Sequence, residues 1–200
     1  RELLIYDQLT SQIAYLMVTR RDNKQLIKNL EEIIHSYMQK VKSDRGHIGQ
    51  HSRIVNCTNI QNVNVGNYAN IDGATSLVDG TIKSEKDAPT SVGAGVIAKS
   101  FIILTDSKVD SSSMLDHSFV GQGVKIGKQY SAENSAFFAN SEGFHGEACS
   151  IFAGPYTVTH HKSTLLIAGM LSFYNAGSGS NQSNHLYKLG PIHQGILERG

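Results

Sequence analysis

The stretch VNVGNYANIDGATSLV, Val63–Val78, decides the fold, because its aliphatic residues return every six positions. Val65-Gly66, Ile71-Asp72 and Leu77-Val78 are six apart, and the residues two before them, Val63, Ala69 and Thr75, are small or β-branched. A second run carries the beat through Ile97, Ile103, Val109-Asp110 and Leu115-Asp116, then slips to five before Val120-Gly121 and Ile126-Gly127. A period of six is neither that of a helix nor the alternation of a half-buried strand, so it marks a repeat architecture. Each hexapeptide supplies one short strand, and three make a triangular coil of about 18 residues whose aliphatic side chains stack inward. A β-sandwich would show alternation and turns roughly every 8 to 12 residues instead. The sequence therefore predicts a mainly β fold, a left-handed parallel β-helix over residues 47–174.

The flanks read differently. All 19 glycines and all three prolines lie at or after Gly46, so residues 1–46 lack the two strongest helix breakers. Leu9, Ile13 and Leu16 form one apolar stripe, and after Arg21-Asp22-Asn23 a second runs through Leu26, Leu30, Ile33, Ile34, Tyr37, Met38 and Val41. A helical hairpin is predicted, an insertion or a cap, with Asn23 as N-cap and Lys40, Lys42 and Arg45 complementing the C-terminal end of the second helix dipole. Lys83–Pro89 concentrates charge and reads as a loop extruded from one corner of the prism. Phe138 and Phe144 continue the beat as inward aromatics, and beyond Cys149 it degrades. Residues 175–200 begin with loop-like Gly, Ser and Asn. The chain starts at Arg1 and ends without a stop signal or solvated tail, so it is expected to be part of a longer protein.

Composition excludes several partners. The net charge is +1, with nine basic and six acidic residues up to Arg53 and nine against eleven afterwards, so nothing matches the charge footprint of a nucleic-acid or anionic-lipid binder. Two cysteines, Cys57 and Cys149, are too few for a disulfide scaffold, and no long apolar span is present. A cytoplasmic setting follows, with no membrane partner. Gly93-Ala94-Gly95 and Gly121-Gln122-Gly123 open no helix, so they are corner glycines rather than dinucleotide loops.

Chemistry concentrates late in the chain. Between Gln129 and Tyr187 the charged side chains are Glu133, Glu142, Glu147 and Lys162, yet His145, His160, His161 and His185 fall there. Histidine is the side chain best suited to act as a general base near neutral pH. His160 and His161 are the catalytic candidates; in a strand only one of the two would face outward. With 18 residues per coil, Glu142 would stack on His160 and orient its ring. Gly177-Ser178-Gly179-Ser180-Asn181 could hold a phosphate or sugar hydroxyls through its backbone N–H groups, or be a plain connection. Cys149 reads as a small buried hydrophobe.

The repeat region resembles the hexapeptide superfamily, which includes acyltransferases using acyl-CoA or acyl carrier protein and the C-terminal domains of sugar-nucleotide pyrophosphorylases. GEACSIFAGPYTVTHHKSTLLIAG, Gly146–Gly169, and NAGSGSNQSNHLYKLGPIH, Asn175–His193, resemble more closely an uncharacterised bacterial family of long hexapeptide proteins. That resemblance spans essentially the whole chain and implies further β-helix on either side. By superfamily analogy the function is acyltransferase-like, moving an acyl group from acyl-CoA to a sugar, nucleotide sugar or similar polar acceptor in a homotrimer. His160 or His161 would be the base, with His145, Asn181, Asn184, His185 and Lys188 as substrate contacts. The alternatives are a non-catalytic scaffold, a carbohydrate- or nucleotide-binding module, or the regulatory β-helix of a sugar nucleotidyltransferase. Some hexapeptide proteins resemble carbonic anhydrase in binding zinc through a close histidine pair and a third ligand. His145, His160, His161, His185 and His193 lack that pair spacing, so no metal is expected.

Overall fold

A computed structural model describes residues 3–166 and, beyond them, residues 169–170, 174–176, 179, 181–183 and 192–194. From His47 onward the chain winds into a parallel β-helix of triangular section. The first face is a nine-stranded sheet. It runs through Arg53–Val55, Asn70–Asp72, Ser91–Val92, Lys108–Val109, Lys125–Gly127, Glu142–Phe144, Thr157–Thr159 and Tyr174–Ala176, and its last strand, Ile192–Gln194, is antiparallel. The second and third faces form one 13-stranded sheet, because the long strands Asn59–Val65, Ser76–Ile82 and Ile97–Ile103 fold across their shared edge. At that edge Asn62, Asp79 and Ser100 take φ of 52°, 53° and 51°. This left-handed backbone is one that short polar side chains tolerate better than β-branched ones.

The true beat is six, six, five. Ile71, Leu77 and Ile82 are followed, after the charged loop, by Val92, Ala98, Ile103, Val109, Leu115, Val120, Ile126, Ala132 and Phe137, all buried and inward. The five-residue step recurs at the edge between second and third faces, so successive coils are offset by 17 residues, as in Arg53 against Asn70 and Lys108 against Lys125. Two coils depart from this. Lys83–Pro89 lengthens one, pairing Asn70 with Ser91 at an offset of 21, as expected for a loop held at a corner. Another loses a residue, so Ser131 pairs with Glu147 and Glu142 with Val158 at an offset of 16.

A strict count of six misassigns several side chains, since one residue of phase moves a side chain to the other face. Ile97 is 44% exposed while Val96 and Ala98 are buried. Phe137, not Phe138, points inward, and the inward position after it is Gly143, not Phe144. Interior volume is balanced across rungs. A Cβ on Gly80 would lie 2.3 Å from the Phe101 ring, and one on Gly143 would lie 3.2 Å from Tyr130, so large rings occupy the space that glycines leave.

The predicted hairpin is present. α1 (Ser11–Thr19) starts at Thr10, and α2 (Lys24–Val41) at Asn23, whose Oδ1 accepts from Leu26 N at 3.0 Å. α2 stops at Val41, so Lys40 lies in its last turn while Lys42 and Arg45 lie beyond. Leu9, Ala14 and Met17 are buried whereas Leu16 is exposed, which rotates the buried stripe from the predicted one. Leu9 and Ala14 join Phe119, Ala136, Phe138 and Phe152 in a second apolar cluster, flanked by Ile102. These prism residues point outward from the third face, so the hairpin lies on a flank. Asp7 fastens it: Lys83 Nζ sits 2.7 Å from one carboxylate oxygen, and Tyr37 Oη donates to the other at 2.8 Å. Among the described residues no helix is long and apolar enough to cross a membrane.

Burial alone would raise the Asp7 pKa, but hydrogen bonds from Lys83 and Tyr37 and the Lys83 charge together hold it below the usual range. The Tyr37 hydroxyl is pushed up to about 12 by burial and then by the Asp7 carboxylate. The depressed carboxylate stabilises the docked hairpin above its unfolded pKa of about 3.9 and loses that contribution as pH falls through the lower folded value. The raised phenol stabilises fully below about pH 10, and that contribution fades as pH rises toward 12. Asp7→Asn is expected to weaken docking by about 1–3 kcal/mol, read as faster amide exchange confined to α1 and α2. Gly80→Ala is expected to destabilise the prism by about 1–3 kcal/mol through overpacking. Denaturant titration should show Phe101→Leu relieving part of that cost in the double variant.

Candidate functional site

The lost residue falls at the edge between the first and second faces, and the chemistry gathers there. In the preceding coil this edge is turned by Lys128 and Gln129, with φ of 54° and 63°; in the shortened coil His145, at 59°, turns it alone. The 16-residue offset sets His160 against Phe144 rather than against Glu142. The two rings pack at 5.3 Å between centroids, tilted by 35°, and Lys128 Nζ lies over the Phe144 ring, 5.1 Å from its centroid. His160 reaches diagonally to Glu142, its Nε2 hydrogen-bonded to Oε2. The contact expected between these two residues therefore exists, but by a different register from the 18-residue coil that suggested it.

Glu142 is fixed on its other side by Lys125 Nζ, 3.0 Å from Oε1, directly beneath it in the sheet. Partial burial is the largest influence on this carboxyl and pushes its pKa up. The bonds from His160 and Lys125, with the Lys125 charge, outweigh it and leave the pKa lowered. Phe144 lies against Gly127, where a Cβ would come within 3.3 Å of its ring. Among the described residues His160 Nδ1 has no hydrogen-bond partner, while its Nε2 is held. Both His160 and His161 are exposed. The alternation expected of a strand fails because strand Thr157–Thr159 ends before them and the corner begins.

Beside this cluster the edge opens into a groove of about 440 Å³. One wall is the corner column Gln129, His145, Lys162 and Gly179; the other is the rung Ser131, Glu147 and Thr164, stacked coil on coil. His160 does not line the groove; His145, next to the Phe144 against which His160 packs, does. Asn181 begins strand Asn181–Ser183 in register with Thr164. Asn184, His185 and Lys188 lie outside the described residues, as do most of Gly177–Asn181. Gly179 N donates to Lys162 O at 2.9 Å. Cys149 is half-exposed rather than buried, and it pairs with Glu133 across the second face. Among the described residues no three His, Cys, Asp or Glu side chains converge as a metal would require.

The sequence reading assigned none of Lys125, Phe144, Gln129, Ser131, Glu147, Lys162 and Thr164 to the site; it placed Phe144 in the core and noted Glu147 and Lys162 only as charges. A 17-residue offset from Glu142 would have found Lys125, but the groove depends on where one residue was lost, which composition does not reveal.

The profile of a family described as a domain of unknown function (DUF4954) matches residues 1–200. No curated protein and no solved structure matches the chain.

The Glu142–His160 pair is half-exposed, with side chains 22% and 48% accessible, so its worth to folding is about 1 kcal/mol or less. Glu142→Ala is expected to leave the denaturation midpoint nearly unchanged while releasing the His160 ring. In nitrogen-correlated NMR this would appear as loss of the single Nε2–H tautomer. Because the Glu142 pKa is lowered, its small contribution is present above the ordinary glutamate pKa of about 4.3 and disappears as pH falls below it.

Proposed function

The chain belongs to the DUF4954 family along its whole length, and from the tethered, outward-facing His160 we propose that it is an acyltransferase using acyl-CoA and a small polar acceptor. The observation that carries this reading is the arrangement Lys125–Glu142–His160, in which a partly buried carboxylate holds an imidazole by Nε2 and, among the described residues, leaves Nδ1 without a hydrogen-bond partner. A general base positioned in this way contributes roughly 10²–10⁴-fold to proton-transfer chemistry. The neutral Nδ1 takes the proton from an acceptor hydroxyl or amine. The acceptor attacks the thioester carbonyl, the carbon–sulfur bond breaks, and the departing thiolate leaves as the thiol with the proton from the imidazolium. Glu142 holds the ring and stabilises the imidazolium formed in between, as a carboxylate partner of histidine does.

The repeat region's likeness to the hexapeptide superfamily supports this assignment, with His161 beside the base and His145, Asn181, Asn184, His185 and Lys188 as further substrate contacts. By the same analogy the active unit is a homotrimer with the pantetheine arm along the coils, working in the cytoplasm. A nucleotidyltransferase role would require a Gly-rich nucleotide-binding domain elsewhere in the polypeptide.

Release of free thiol from acetyl-, succinyl- and longer acyl-CoAs, followed with amino sugars and nucleotide sugars as acceptors, tests the assignment. His160→Ala is expected to lower kcat by about 10²–10⁴-fold and Glu142→Gln by less, while thermal stability changes little. A protein that no CoA thioester stabilises against heat and that consumes none of them would defeat it, as would full turnover in the His160→Ala, His161→Ala double variant.

A further inference from the structure

We infer that the groove beside His145 is a binding site for a neutral, hydroxyl-rich ligand of saccharide type. On the acyltransferase reading, on which this role rests, that ligand is the acceptor. The first argument is chemical. Ligand sites are usually lined mainly by apolar and aromatic side chains, yet no side chain lining this groove is apolar. Such walls suit neither an acyl chain nor a purine. Gln129, Ser131, His145 and Thr164 offer both donors and acceptors, the mixture that vicinal hydroxyls require. One carboxylate, Glu147, and one ammonium, Lys162, cancel in charge, which favours a neutral ligand over a phosphate or a polyanion.

The second is geometric. Strands of neighbouring coils are about 4.8 Å apart, so Ser131, Glu147 and Thr164 set polar groups along the groove at a spacing close to the advance per residue of an extended saccharide chain. Thr164 Oγ1 already donates to Glu147 Oε1 at 3.0 Å, which leaves Oε2 as an acceptor for a ligand hydroxyl. Gly146 forms the floor because a Cβ there would lie 2.6 Å from Ser163 O. The floor is backbone, and the trough stays open.

The test is calorimetry and amide-shift NMR on the full chain, without acyl donor, using cellobiose, maltose, lactose and diacetylchitobiose, with glucose 1-phosphate as the charged comparison. At least one neutral disaccharide is expected to bind and to shift Gln129, His145 and Glu147. Glu147→Gln and Gln129→Ala should each weaken it tenfold or more at unchanged circular dichroism and melting temperature, with Lys86→Ala as a distant control. Binding by none of the disaccharides, stronger binding of glucose 1-phosphate, or affinity indifferent to both variants would overturn the inference. His160→Ala should leave disaccharide affinity within twofold. Saccharide binding without consumption of any acyl-CoA would therefore sink the catalytic reading and leave the site standing. Turnover with unaltered acceptor KM in Glu147→Gln would do the reverse.

Discussion

Everything in this molecule depends on the inward stack that runs from Val65 to Leu165. Each coil contributes three side chains, and each meets its equivalent one coil above and below, so the apolar surface of any single coil is buried only by its neighbours. Fully burying an aliphatic side chain of this kind contributes about 1.5–3 kcal/mol. That gain must offset a strained frame: among the described residues 17 other than glycine hold positive φ at the corners, each at a cost on the order of 1 kcal/mol. Corners are tolerable because stacks on both sides fix them.

The hairpin and the candidate site use opposite properties of the prism. The third face is outwardly apolar at Ile102, Phe119, Phe138 and Phe152, and α1 covers it as an ordinary core interface. The first face is outwardly charged, with Lys108 beside Asp110 and Lys125 beneath Glu142. One continuous core thus supports a structural flank and a chemical one, and the edge between first and second faces joins the chemical flank to the groove.

The fold was legible because period carries it: Val65, Ile71, Leu77 and their successors declare the β-helix without any structural knowledge, and Asn23 marks the start of α2. What stayed hidden was phase. The sequence shows one five-residue slip, at Leu115 to Val120, where the structure has one in every coil. Counting by six therefore put Phe138 and Phe144 inside, although Phe138 belongs under the hairpin and Phe144 under His160. Histidine density drew attention to the stretch that holds the Glu142–His160 contact, and Glu142 was paired with His160 through a register that the coil does not have. Lys125 and the groove residues carry no local motif; they become neighbours only once the 17- and 16-residue offsets are known.

The two irregular coils show what this architecture permits. Four extra residues after Ile82 and one fewer after Phe144 are both absorbed at an edge, and the strands on either side return to register within the same coil. A length change in most globular cores would propagate; here it is quarantined. Edges are therefore the places where descendants of such a chain can gain or lose residues at low risk, and each such event leaves a new concavity or protrusion on an unchanged support. In this protein the inserted edge holds the helical arm through Lys83, and the shortened edge holds the histidines. Diversity in relatives should accordingly concentrate in three lines along the prism, with the strands between them varying far less.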